Sequence, residues 1–135
     1  MSPWEGRILS FVDTCSVGGF PTSNHAIEAL AELLDDAPPA LSPHLASRAD
    51  NARLAQLLEV DAQLCAAVEL VGPNRGILIT SSAIGASSGL VKIADDVEEG
   101  NFFADDPVIA LLGAYAQALV AVIAATKSGN GGENL

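Results

Sequence analysis

The chain has 135 residues, half of them hydrophobic and only 17% charged, which excludes a disordered protein and suits one domain with a real core. Six basic and seventeen acidic residues leave a net charge of -11. A nucleic-acid binder would carry a basic face, so DNA and RNA are not expected partners, and 17% charge is thin for an acidic DNA mimic.

The 23 alanines and 17 leucines, set against four Phe, one Tyr and one Trp, favour helices around an aliphatic core. Cys15 and Cys65 lie far apart and in no CxxC context, which reads as two reduced, buried thiols. The first residues carry neither the basic n-region nor the cleavage pattern of a signal peptide. The expected setting is the cytoplasm or the interior of a protein assembly.

Ser2-Pro3-Trp4-Glu5 is a capping box with proline at the first helical position, and Trp4, Ile8, Phe11, Val12 and Cys15 recur at helical spacing. A first helix is predicted over 3–17, ended by Gly18-Gly19. After a turn rich in N-cap residues, Ile27, Leu30, Ala31 and Leu34 form the stripe of a second helix over 23–36, which Pro38-Pro39 breaks.

From Ser42-Pro43 no breaker occurs before Gly72-Pro73, so a long third helix is predicted over 43–71. Its apolar face would hold Leu54, Leu57, Leu58, Leu64, Cys65 and Val68, with Asp61 in the middle of them. A carboxylate there needs a partner, such as Arg7, Arg75 or Lys92, or it fixes register at an oligomer seam.

Residues 72–76 form a turn. Ile77 to Thr80 has strand character but no convincing second strand to pair with, so a fourth helix is predicted over 81–98. Gly85-x-x-x-Gly89 would then let that helix approach the alanines of the last one closely.

Asp106 and Pro107 mark the start of a last helix over 107–126, which carries no charge. Val108, Leu112, Tyr115, Leu119 and Val122 step by 4, 3, 4, 3, a heptad seam, while Ala114, Ala118, Ala121 and Ala125 line another face. Lys127 suits the dipole at the far end and Gly129 reads as a stop. A helix apolar all round is either buried or spans a membrane. The length suits a bilayer, which needs about 20 apolar residues, but no basic cluster or Trp belt flanks it.

The chemistry-bearing motifs are few. His25 and Glu28 sit one turn apart, but no Glu-x-x-His of the di-iron type occurs. Ser81 to Gly89 is Ser/Gly-rich but is neither a Walker A loop nor GxGxxG. No catalytic residue, cofactor or metal is expected. Asp95, Asp96, Glu98, Glu99, Asp105 and Asp106 form an acidic cluster, read as a solvated edge or a dock for a basic partner.

The expected fold is all-α: one domain over 1–127 of about five helices around the apolar last one, with 128–135 as a flexible polar tail. Five helices do not easily hide every face of 107–126, so partner chains are the economical explanation. The expected function is a non-catalytic structural or assembly subunit that forms a homo-oligomer or joins other protein subunits, of the kind found in virions or secretion machinery. The association surface would be Val108, Leu112, Tyr115, Leu119, Val122, Gly85, Gly89 and Asp61. A membrane-anchored accessory subunit with span 107–126 is the first alternative. An enzyme or ligand-binding bundle with an inter-subunit site is the second.

Overall fold

The computed structural model describes residues 3–133 except 74 and 83, with side chains described through residue 126. It opens with α1 (Pro3–Ser16) and α2 (Ser23–Asp35), continues through a 3-10 turn (Pro39–Leu41) and α3 (Ser42–Leu45), then α4 (Asn51–Glu59) and α5 (Gln63–Val71). Three strands follow: β1 (Gly76–Ser81), β2 (Ser87–Lys92) and β3 (Gly100–Ala104). The chain ends in α6 (Pro107–Glu133).

The all-α expectation is therefore incorrect: this is a mixed fold in which an antiparallel meander in the order β1-β2-β3 lies against the last helix. The predicted helix over 81–98 does not form. Its residues make the turn of a hairpin, β2 and a loop. Ser82 and Gly85 build that turn, with Ser82 N–H donating to Ala86 O (2.8 Å) and Gly85 N–H to Ser82 O (3.1 Å). Gly85 has φ +94, a left-handed conformation no helix would use.

The predicted helix over 43–71 is also broken into pieces. Asp50 restarts it by accepting the Arg53 N–H at 2.9 Å, as an N-cap does. Asp61 stops α4. It has φ 57, its N–H donates to Leu58 O (3.2 Å), and the Ala62 N–H donates to Leu57 O (2.8 Å). That pair of bonds is a Schellman cap with aspartate in the position glycine usually holds.

The first two helices form where expected. Trp4, Ile8, Phe11 and Cys15 are buried on α1, and the Trp4 indole donates to Leu33 O at 2.7 Å, tying α1 to α2. Asp106 caps α6 as expected, accepting from Val108 N–H (2.7 Å) and Ile109 N–H (3.3 Å). The helix continues through 127–133, past the expected stop at Gly129, and residues 134 and 135 of the expected tail lie outside the described residues.

α6 is the core helix. Its principal neighbours are β2, β3 and α1, then α5, α2, β1 and the 3-10 turn. Glycines let the two layers approach each other closely. A Cβ at Gly89 would stand 2.6 Å from Ala110 O, and one at Gly113 would stand 2.6 Å from the Phe102 ring. Gly89 thus meets α6 from a strand rather than from a helix, and Gly85 does not reach it.

Candidate docking face

Side chains alternate across a strand, so each strand of the meander gives one face to α6 and the other to the outside. The register places Ile77 opposite Val91, Val91 opposite Gly100, Ile79 opposite Gly89 and Gly89 opposite Phe102. These residues face α6; Val91, Gly89, Gly100 and Phe102 are buried, while Ile77 and Ile79 are half-buried. The outer face carries Leu78 opposite Leu90 opposite Asn101, and Thr80 opposite Ser88 opposite Phe103.

A solvated antiparallel face is normally polar. Here Leu78 is 58% exposed and Phe103 74% exposed, with Leu90 half-buried between them, and Ile84 at the hairpin tip is 93% exposed. The Thr80 and Ser88 hydroxyls bond to each other across the strands. Phe102 and Phe103, adjacent in the chain, are split by the pleat: one enters the core and the other points out.

The acidic cluster does not sit on one helix end, nor does it form one patch. Asp95, Asp96, Glu98 and Glu99 are exposed in the β2–β3 loop, held by Lys92, whose Nζ donates to Val97 O (2.9 Å) and lies 3.7 Å from Glu99. Asp105 and Asp106 are exposed beyond Ala104, which pairs with Ser87 at the other end of β2. Six residues of strand separate the two groups, roughly 17 to 20 Å at the usual rise. The outer face, which also carries Lys92 opposite Gly76, thus has exposed acids beyond both of its ends.

The sheet's two edges differ. On β3 the Asn101 N–H donates to Gln117 Oε1 of α6 at 3.0 Å, and α1 packs beside the strand. On β1 the residues Gly76, Leu78, Thr80 and Ser81 are exposed, and no charge, proline or bulge guards the strand.

The other expected site residues are placed elsewhere. Val108, Leu112, Tyr115, Leu119 and Val122 are all buried by this chain's own elements, the last helix being enclosed by a sheet on one side and helices on the others. By length and composition Pro107–Thr126 could cross a bilayer, yet 67% of its apolar window is buried inside the fold, as in a core helix. Asp61 is exposed in the α4–α5 turn and far in character from a seam residue.

The reactive groups are quiet. Burial pushes the Cys15 thiol up to about 12, so it is protonated at neutral pH. Cys65, expected to be buried, is exposed. Burial pushes the Tyr115 hydroxyl to about 12, against the opposing pull of Arg75 and Arg48. A cavity of about 460 Å³ opens between the α1–α2 connection and the hairpin end, lined by Cys15, Thr22, Ser87, Phe103, Asp105 and Asp106 among others. His25 is engaged locally, its Nδ1 lying 2.7 Å from Thr22 Oγ1. Among the described residues no group of three or more His, Cys, Asp or Glu could hold a metal ion.

Nothing in the sequence marked the outer sheet face, because Leu78 and Phe103 stand in segments whose strand character depends on a partner. No family model matches the chain, and neither does any curated protein or solved structure.

Proposed function

We propose that this chain is a non-catalytic assembly subunit that docks another protein on the outer face of its sheet. The observation that carries this reading is the exposure of Phe103 and Leu78 on a face with acids at both ends. Contiguous exposed apolar surface rimmed by polar groups marks interaction sites. The opposite face of the sheet already has its covering layer in α6, and a second layer on the outer face would complete a three-layer arrangement.

Charge narrows the partner. Asp95, Asp96, Glu98 and Glu99 at one end and Asp105 and Asp106 at the other favour a segment with apolar residues in its middle and Lys or Arg towards its ends. The test uses a synthetic peptide of that composition, titrated into the isotope-labelled protein by NMR. Shifts confined to β1, β2, β3 and the flanking acids at 95–99 and 105–106, and abolished by Phe103→Lys, support the reading. Shifts spread over the rest of the acidic surface, or matched by an equally basic peptide lacking leucines, defeat it.

A further inference from the structure

The ladder fixes which backbone groups of β1 are left open. In an antiparallel pair, the N–H and C=O of one residue point the same way, and successive residues alternate. The Asn101 N–H goes to Gln117, away from β2. Asn101 and Leu90 are therefore a non-hydrogen-bonded pair, and Leu90 directs its N–H and C=O to its other neighbour, Leu78. It follows that Ile77, Ile79 and Ser81 present theirs to the open edge.

We propose that this edge pairs antiparallel with β1 of a second copy, about a two-fold axis at Ile79, to make one continuous six-stranded sheet. With the axis there, Ile79 meets Ile79 of the second copy, and Ile77 meets Ser81. Every outward-pointing group named above then finds a complement, giving about six hydrogen bonds across the junction. On the outer face Leu78 comes beside Thr80 of the second copy. On the inner face the half-buried Ile77 and Ile79 of both copies come together and lose their remaining exposure.

Charge singles out this edge for self-pairing. The chain carries -11, yet residues 76–91 contain no charged residue. The antiparallel arrangement also brings the acidic loop of one copy, which lies at its Gly76 end, next to the neutral hairpin turn of the other. The opposite edge is less open, since the Asn101 N–H there is already taken by Gln117 and α1 contacts β3.

The pairing uses the edge and not the outer face, so it stands or falls separately from the docking reading. Light scattering across a concentration series should give twice the chain mass, falling to the monomer on dilution. Ile79→Pro trims a half-buried side chain, but the N–H it removes points away from β2, a place where an edge strand tolerates proline, and it should yield a folded monomer. Phe103→Lys should leave the dimer intact. Amide exchange supplies a measurement that no substitution can confound: the Ile77, Ile79 and Ser81 amides should slow roughly tenfold or more in the dimer. A wild-type monomer at high concentration overturns the proposal. So does a dimer in which those three amides exchange as fast as in the monomer, or one lost in Phe103→Lys and kept in Ile79→Pro.

Discussion

Gly100 on β3 lies so close to α6 that a Cβ there would overlap the Ala114 carbonyl oxygen and stand 2.7 Å from its carbonyl carbon. The obstacle is backbone, which cannot turn aside as a side chain can. Gly100→Ala should therefore destabilise the protein by about 1 to 3 kcal/mol, or more if the layers separate. Gly113→Ala meets the Phe102 ring instead and should cost less, because a ring can shift. Urea melts of the two variants decide it, and a Gly100→Ala midpoint equal to wild type would remove close packing as the reason for the glycine.

Asp61 holds a left-handed φ of 57 as the cap of α4 and is exposed. Glycine adopts that conformation without the side-chain penalty, while a β-branched residue pays it in full. Asp61→Gly should stabilise by about 0.5 to 1 kcal/mol and Asp61→Val should destabilise by about 1 to 2 kcal/mol. Thermal denaturation would show the pair moving in opposite directions; a loss in both would mean the carboxylate makes a contact that matters more than the backbone.

These two residues also show where the sequence was legible. Caps and stripes were readable when a local rule settled them, as at Asp106-Pro107 and along Trp4, Ile8, Phe11 and Cys15. The sheet was not, because its strands do not look like strands alone. Ile77 to Thr80 has the composition, but its partner Ser87-Ser88-Gly89-Leu90-Val91 spends an interior position on Gly89, whose need arises only from Ala110 across the core. Gly85-x-x-x-Gly89 was a helix-packing pattern by spacing and a turn plus a close approach in fact. Asp61 matched the helical period around it, and only its φ distinguishes a cap from a continuation. The candidate docking face was hidden for the same reason, since Leu78, Leu90 and Phe103 become neighbours only through the ladder.

Tyr115 is fully buried in the middle of α6, and the described residues place no hydrogen-bond partner on its hydroxyl. An unpartnered buried hydroxyl costs desolvation without recovering a bond. Tyr115→Phe should accordingly be neutral or stabilise by up to about 1 kcal/mol, whereas Tyr115→Ala, which also opens a cavity, should cost about 3 to 5 kcal/mol. Calorimetry on both variants separates the ring from its oxygen. A loss above about 1 kcal/mol in Tyr115→Phe would assign the hydroxyl a bonding role.

Asp35 at the end of α2 reaches across to the chain leading into α4. The Asn51 amide, which donates at 3.1 Å, and the Arg48 guanidinium, at 2.5 Å, hold its carboxyl below the ordinary aspartate range. A carboxylate with a lowered folded-state pKa contributes stability that is present above its unfolded value, about 4, and is lost as pH falls through the folded value. The pair is partly exposed, with Asp35 at 44%, so the contribution is at most about 1 kcal/mol. Total acid sensitivity would not isolate it, because protonating the other carboxylates also relieves the self-repulsion of a chain at -11. The difference between wild type and Asp35→Asn does isolate it, since the remaining carboxylates are common to both proteins. Urea denaturation from pH 7 down to pH 2 should show wild type ahead at neutral pH and the gap closing below about pH 4. A gap of constant size over that range would assign Asp35 a role that does not depend on its charge.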